Sequence, residues 1–106
     1  MEIHTINELC KQNKIRWTNH ALVRLIQRGI YTNEVVHALQ NGAIIEQYPD
    51  DYPHPSCLVL GVSHSSKPMH IVCGLGEDEI WIITAYHPNP SQWDETFMKR
   101  KERESS

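Results

Sequence analysis

The sequence lacks the features that mark membrane and secreted proteins. No apolar run approaches the roughly 20 residues needed to cross a bilayer, because charged residues or histidine interrupt each one. The N-terminus carries Glu2, His4 and Glu8, where a secretory signal has positive charge followed by an apolar block. We therefore predict a cytoplasmic protein with no membrane partner.

Motifs for metals, cofactors and phosphates are also missing. The seven histidines show no H-E-x-x-H or H-x-H spacing, and there is no P-loop, G-x-G-x-x-G or G-x-S-x-G. The three cysteines, Cys10, Cys57 and Cys73, include no C-x-x-C pair. Because Cys57 and Cys73 lie in apolar runs, we interpret them as reduced core residues. No metal and no cofactor is predicted.

Positive charge is scarce. Ten Lys and Arg face thirteen Asp and Glu, which gives a net charge of −3. This weighs against a surface that binds nucleic acid throughout, since phosphate contacts draw on clustered Lys and Arg. One local basic cluster exists near the C-terminus, at Lys99, Arg100, Lys101 and Arg103.

The 106 residues suffice for one domain. We predict a single domain over 1–106, with a core from about 5 to 98 and a frayed tail at 99–106. Helical periodicity predicts a first helix over 6–14 with Thr5 as its N-cap, and a second that Thr18 or Asn19 caps and Gly29 ends. The second helix carries an apolar stripe at Ala21, Leu22, Leu25 and Ile26. A third helix, capped by Thr32, runs to residue 40.

Beyond Gly42 the pattern becomes extended, with β-branched and aromatic residues between Pro, Gly and Ser clusters. Strands are predicted over 43–48, 57–62, 69–75 and 80–86, joined as antiparallel hairpins. Ser91 and Asp94 have capping-box spacing, which predicts a final helix toward Arg103 that Trp93 anchors on the sheet. The predicted fold is therefore α+β: an N-terminal αα-hairpin packed on a four-stranded antiparallel sheet, with a C-terminal helix.

Two groups of polar residues could carry chemistry. His20, Arg24 and Arg28 are spaced by four on the second helix and form a row able to hold a phosphate or carboxylate. Spacing alone favours the solvated face of an amphipathic helix for this row. In the fourth predicted strand, alternation places Thr84 and Tyr86 on one face with Ile80 and Ile82, and places Trp81, Ile83, Ala85 and His87 on the other.

His70 would complete a second site if it lies on the Thr84 and Tyr86 face. The sheet would then present an imidazole, a hydroxyl and a phenol together, a set suited to proton transfer and oxyanion contacts. From spacing alone, a half-buried histidine and a tyrosine whose hydroxyl reaches water account for the same residues more often.

Several segments resemble a bacterial and archaeal family of domains of unknown function. Residues 20–30 resemble its H-A-x-x-R-x-x-x-R-G-I opening, and 43–51 resemble its I-I-E-x-Y-P-D-D segment. Residues 58–61, 68–72 and 82–93 resemble its L-V-L-G, P-L-H-V-V and I-I-T-x-Y-x-P-x-x-x-x-W segments. The resemblance extends from Trp17 to Trp93 in the same order.

This resemblance implies a function. Members of the family look like toxin components of toxin–antitoxin pairs beside a small zinc-ribbon or helix-turn-helix antitoxin, and their element order is similar to that of RelE-like and BrnT-like ribonucleases. It implies a metal-independent endoribonuclease acting on RNA. His70 or His20 would be the general acid or base, Arg24 and Arg28 would neutralise the phosphorane, and Tyr86 with Thr84 would donate hydrogen bonds.

A second reading is a non-enzymatic protein-interaction module. In that case the polar residues hold the helices on the sheet, with His20 and Arg24 satisfied by partners such as Glu46. The acidic net charge favours this reading. Small-molecule chemistry ranks last, since no phosphate loop is present. The sequence leaves the oligomeric state open.

Overall fold

The computed structural model describes residues 1–101. Three helices and five strands are present in this part of the chain. In chain order they are α1 (Ile3–Lys11), β1 (Ile15–Trp17), α2 (Asn19–Arg28), α3 (Thr32–Gln40), β2 (Ala43–Tyr48), β3 (Ser56–Val62), β4 (Pro68–Leu75) and β5 (Ile80–Tyr86). The fold is α+β, as predicted.

The strands form one mixed sheet in the order β1-β5-β4-β3-β2. The four long strands pair as antiparallel neighbours, as the sequence predicts. The prediction of a purely antiparallel four-stranded sheet is wrong in one respect, because β1 adds a fifth strand parallel to β5. Three residues are too few to show a strand period, so β1 could not be found from the pattern.

Local signals explain where the second helix begins and ends. Thr18 Oγ1 accepts a hydrogen bond from the Ala21 amide at 3.0 Å, and Gly29 adopts a left-handed conformation with φ of 67°. The other two predicted caps are wrong. The N-cap of α1 is Glu2 rather than Thr5, and that of α3 is Tyr31 rather than Thr32.

The core lies between the three helices and one face of the sheet. α2 packs on β5, and α3 packs on β3 and β4. Apolar side chains from every helix and from β3, β4 and β5 are buried there, including Ile6, Leu25, Leu39, Val59, Ile71 and Ile82. We call the opposite face the outer face; the segment 91–101 lies against it through Trp93, Phe97 and Arg100.

The predicted C-terminal helix is wrong. Residues 91–101 form turns and an isolated bridge between Trp93 and Arg100. Asp94 does not complete a capping box; its carboxylate accepts hydrogen bonds from the amide and hydroxyl of Thr96, and Phe97 has a positive φ of 59°. Such local bonds from Asp compete with helix formation. The predicted helix end, Arg103, and residues 102–106 of the predicted tail lie outside the described residues.

A β-bulge in β5 overturns the predicted faces of that strand. Val72 pairs with Thr84 and Cys73 pairs with Ile82, so Ile83 has no opposite residue in β4. The alternation slips at this point. Ile80, Ile82 and Ala85 enter the core, whereas Thr84 and Tyr86 share the outer face with their pairing partners Val72 and His70.

Within residues 1–101, none of the helices has the length and apolar character that crossing a membrane requires.

We predict that Gly61→Ala destabilises the protein strongly. A Cβ at Gly61 would overlap the backbone carbonyl of Ala38 in α3, which cannot move without shifting the helix. We expect the free energy of unfolding to fall by about 1–3 kcal/mol in urea titrations. Gly74→Ala is the matched control in the neighbouring strand, because its new Cβ would meet nothing nearer than 3.6 Å. Equal losses in both variants would contradict this packing.

Candidate functional site

The outer face of the sheet gathers polar side chains from neighbouring strands. Antiparallel pairing sets His70 opposite Tyr86, and Val72 opposite Thr84. On the other side of β4, Leu58 of β3 pairs with Val72 of β4 and with Glu46 of β2. Paired residues project to the same side of a sheet, so register alone brings these side chains into two adjacent rows.

His70 is fully buried at the centre of this face. Its ring meets the Trp93 ring edge-on, with centroids 4.4 Å apart. Nε2 lies 2.8 Å from the Phe97 carbonyl oxygen, which can only accept, so Nε2 carries the proton. Nδ1 of the neutral ring is then an acceptor, and the Tyr86 hydroxyl donates to it over a long 3.4 Å contact. The C-terminal segment thus fixes the tautomer of His70.

Burial changes how both members of this pair ionise. It lowers the pKa of His70 below its ordinary 6.5, although the Phe97 carbonyl and the Glu46 carboxylate act in the opposite direction. Burial also raises the pKa of Tyr86 above its ordinary 10.0. Both shifts favour a neutral imidazole and a neutral phenol at pH 7.

Arg28 reaches the site from the last turn of α2. Its Nη1 donates to Thr84 Oγ1 at 3.0 Å and to the Ala85 carbonyl at 2.9 Å. These groups lie beyond the part of β5 that β1 pairs with, which ends at Ile82. The guanidinium carbon is 5.9 Å from the centre of the Tyr86 ring. An exposed cation is therefore held beside the half-buried phenol.

A second polar group borders His70 and was not predicted as part of a site. The Glu46 carboxylate accepts hydrogen bonds from the Tyr48 hydroxyl and from Arg100, at 3.3 Å for each of two guanidinium nitrogens. Arg100 also lies over the Trp93 ring, 4.7 Å from its centre. Burial acts to raise the pKa of Glu46, but these hydrogen bonds lower it overall. The carboxylate is therefore ionised near His70.

The sequence held one signal for this second group. Glu46 and Tyr48 are two residues apart in a strand, so alternation places them on the same face. The contact with Arg100 could not be foreseen, because it depends on the turn at 94–99 that replaces the predicted helix.

Two of the predicted site residues lie away from this cluster. His20 and Arg24 are exposed on α2, and Arg24 hydrogen-bonds to Gln27 on the same helix, at 3.4 Å. The predicted row of three therefore contributes only Arg28 to the outer face. The geometry brings together the other four predicted residues: Arg28, His70, Thr84 and Tyr86.

A hollow of about 300 Å³ lies next to the cluster, at the end of the sheet where β5 begins. Its lining is largely apolar and aromatic: Thr18, Asp51, Tyr52, Pro53, His54, Gly74, Trp81 and Ile83. Ile83 is the bulge residue and directly precedes Thr84. The hollow and the polar cluster thus use successive residues of β5.

In residues 1–101, no group of three or more His, Cys, Asp or Glu side chains is placed to hold a metal ion. The polar cluster of the outer face instead contains one imidazole, two phenols, one threonine hydroxyl, one carboxylate and two guanidinium groups. This set can move protons and bind anions without further groups.

Comparison with known proteins gives one match. A family model with the description Domain of unknown function (DUF4258) matches residues 17–87, which span α2, α3 and the strands β2 to β5 and include Trp17 of β1; α1 and the segment 91–101 lie outside the match. No curated protein and no solved structure gives a significant match.

We predict that His70 makes the protein less stable in mild acid. The unfolded chain binds a proton at an ordinary histidine pKa, while the folded chain resists it because burial lowers the pKa of His70. The unfolded state therefore binds more protons as the pH falls below about 6.5, and stability is lost as the pH falls through the folded pKa. Urea titrations between pH 7.5 and 5 measure this slope.

His70→Gln should flatten the slope relative to the parent protein, although its stability at pH 7.5 will be lower. His20→Gln is the control for the chemical change, since it replaces an exposed imidazole on α2 that lies away from the outer-face cluster; the prediction requires a larger change of slope from His70→Gln. If the parent and His70→Gln lose stability in parallel, His70 is not the group responsible.

Proposed function

Since the chain belongs to the DUF4258 family, whose description assigns no activity, we propose from its own geometry that it is a metal-independent endoribonuclease. In this reaction the 2′-hydroxyl of RNA attacks the adjacent phosphorus. The P–O bond to the 5′-oxygen of the next nucleotide breaks, and a 2′,3′-cyclic phosphate remains. The site must accept one proton and stabilise a dianionic phosphorane.

One observation carries the proposal: Arg28 donates a hydrogen bond to Thr84 and lies beside the Tyr86 ring, and the Tyr86 hydroxyl contacts His70. A cation that could bind phosphate thus lies near a phenol that is hydrogen-bonded to a neutral base. The two helix residues that the sequence also suggested, His20 and Arg24, have no part in this contact.

Tyr86 and His70 supply a path for the proton. As Tyr86 Oη takes the proton of the 2′-hydroxyl, its own proton passes to Nδ1 of His70, which the bond from Nε2 to Phe97 leaves as the acceptor. Tyr86 is the catalytic residue, whereas the buried His70 acts through it. The leaving 5′-oxygen takes a proton from water, and the hydroxide that remains takes the proton that His70 returns through Tyr86, which restores the neutral ring.

Glu46 would make this transfer less costly. A proton on His70 creates a buried imidazolium, and burial penalises that charge. The ionised Glu46 carboxylate attracts a charge on His70 and raises the pKa of this ring against the effect of burial. Arg100 would hold Glu46 in place through its two hydrogen bonds.

Arg28 would bind the reacting phosphate. Both of its hydrogen bonds in the described chain use Nη1, while a guanidinium carries five N–H donors in a planar fork. The exposed remainder of the group is suited to two equatorial oxygens of the phosphorane. The hollow beside Thr84 would receive a base, since Trp81 and Tyr52 offer aromatic surfaces for stacking.

The main alternative, a protein-interaction module, is favoured by one observation. The predicted apolar stripe of α2 is only half buried: Ala21 and Leu25 enter the core, but Ile26 is 80% exposed beside the exposed Val23 and Leu22. Such a patch is typical of a contact surface. It is also compatible with a small antitoxin partner of the nuclease, so the assay below decides between the two functions.

We predict that Tyr86→Phe and Arg28→Ala each reduce RNA cleavage by about 10²- to 10⁴-fold. Tyr86→Phe removes the group that accepts the proton of the 2′-hydroxyl. Arg28→Ala removes the cation that binds the reacting phosphate. The measurement is cleavage of a labelled RNA in EDTA, with detection of the cyclic phosphate, and growth after induction in bacteria. An RNA with 2′-deoxy residues should remain intact.

Arg24→Ala is the matched control, because it removes the same charge one helical turn away and should keep nearly full activity. If the pure protein cleaves no RNA and its induction stops no growth, the nuclease proposal fails. Binding of a protein partner that Ile26→Ser abolishes would then support the interaction module.

We predict that Trp81→Ala raises KM for RNA with little change in kcat. Its side chain lines the hollow and not the reacting cluster, so the loss should fall on binding of the base. Stacking of a base on an aromatic ring contributes about 1–3 kcal/mol to the binding free energy, and we expect the loss of RNA binding in Trp81→Ala to be of this size. A fall in kcat alone would argue against a base in this hollow.

A further inference from the structure

Two thiols that the proposed reaction does not use lie side by side in the core. Cys57 in β3 and Cys73 in β4 are directly paired in the antiparallel register, and their sulfur atoms are 3.7 Å apart. Both are free and fully buried. They were predicted as reduced core residues, but their pairing could not be read from the sequence.

Their backbone positions suit a covalent bond. Opposite residues of antiparallel strands have Cα atoms about 4.5 or 5.5 Å apart, and disulfides bridge Cα separations of about 4.4–6.8 Å. Both values fall in that range. Closing the sulfur atoms from 3.7 Å to bonding distance therefore calls for rotation of the two side chains rather than movement of a strand.

The pair is also chemically asymmetric. The hydrogen bond from Cys73 lowers the pKa of Cys57, whereas the same bond and burial raise the pKa of Cys73. Cys57 is the better thiolate, and the thiolate is the species that reacts with oxidants. The half-buried Met1 covers it, with Sδ 3.1 Å from Sγ, so movement of that side chain opens a path for a small molecule.

We propose that Cys57 and Cys73 are a modification site that a hydroperoxide converts into a reversible cross-strand disulfide. The Cys57 thiolate attacks one peroxide oxygen, the O–O bond breaks, and Cys57 becomes a sulfenic acid. The Cys73 sulfur then attacks the Cys57 sulfur, the S–O bond breaks, and the leaving hydroxide takes the Cys73 proton as water. In sum, two thiols and one hydrogen peroxide give one disulfide and two waters.

Folded full-length protein treated with stoichiometric hydrogen peroxide tests this directly. We expect the intact mass to fall by two hydrogens, and peptic peptides prepared in acid to contain a Cys57–Cys73 link that dithiothreitol removes. Cys10→Ser should form the same link at the parent rate. Cys57→Ser and Cys73→Ser should form no intramolecular disulfide.

Oxidation in guanidinium is the control for geometry, because an unfolded chain should also form links through Cys10. The proposal is overturned if the folded parent forms no intramolecular disulfide, or if its link contains Cys10. Either result is obtained with the parent protein, so a variant that fails to fold leaves the test intact. The test is also independent of any RNA cleavage.

Discussion

The one-residue bulge at Ile83 is the constraint on which the outer face depends. Before it, β5 sends Ile80 and Ile82 into the core; after it, the strand sends Ala85 there. Without the slip, Thr84 and Tyr86 would lie under the helices, and His70 would have no phenol as its neighbour. Because of the bulge, β5 contributes apolar side chains to the core both before and after Ile83, and it presents Thr84 and Tyr86 on the outer face.

The two faces of the sheet are buried by different means. The inner face is covered by helices whose apolar residues recur at helical spacing, which gives a buried layer of aliphatic and sulfur-containing side chains. The outer face is covered by an irregular segment that contributes a Trp ring, a backbone carbonyl and a guanidinium. The backbone carbonyl of Phe97 accepts a hydrogen bond from the buried His70 ring. A second layer of apolar side chains would leave that ring nitrogen without a hydrogen-bond partner.

Regular elements were predictable because their signals are local. The cap of α2, its glycine stop and the extents of β2 and β5 depend on residues close together in sequence. β1, the bulge and the turns at 91–101 depend on distant contacts. Ile15–Trp17 is a strand only because β5 lies beside it, and Asp94 prefers Thr96 to a helix start. The candidate site followed the same rule. Alternation predicted that Thr84 and Tyr86 share a face, but the sequence left open whether His70 shares it, and Glu46 and Arg100 meet only in three dimensions.

The two margins of the sheet differ in how they could meet another chain. At one margin, β1 pairs with β5 as far as Ile82. Just beyond it, the Ala85 carbonyl accepts a hydrogen bond from Arg28, so a charged side chain fills the position at which an added strand would donate a hydrogen bond. The opposite margin is β2, six residues long. A strand that extended the sheet beyond Ile82 at the margin beside Arg28 would have to displace Arg28 from the Ala85 carbonyl, whereas the six residues of β2 offer a longer edge for strand addition.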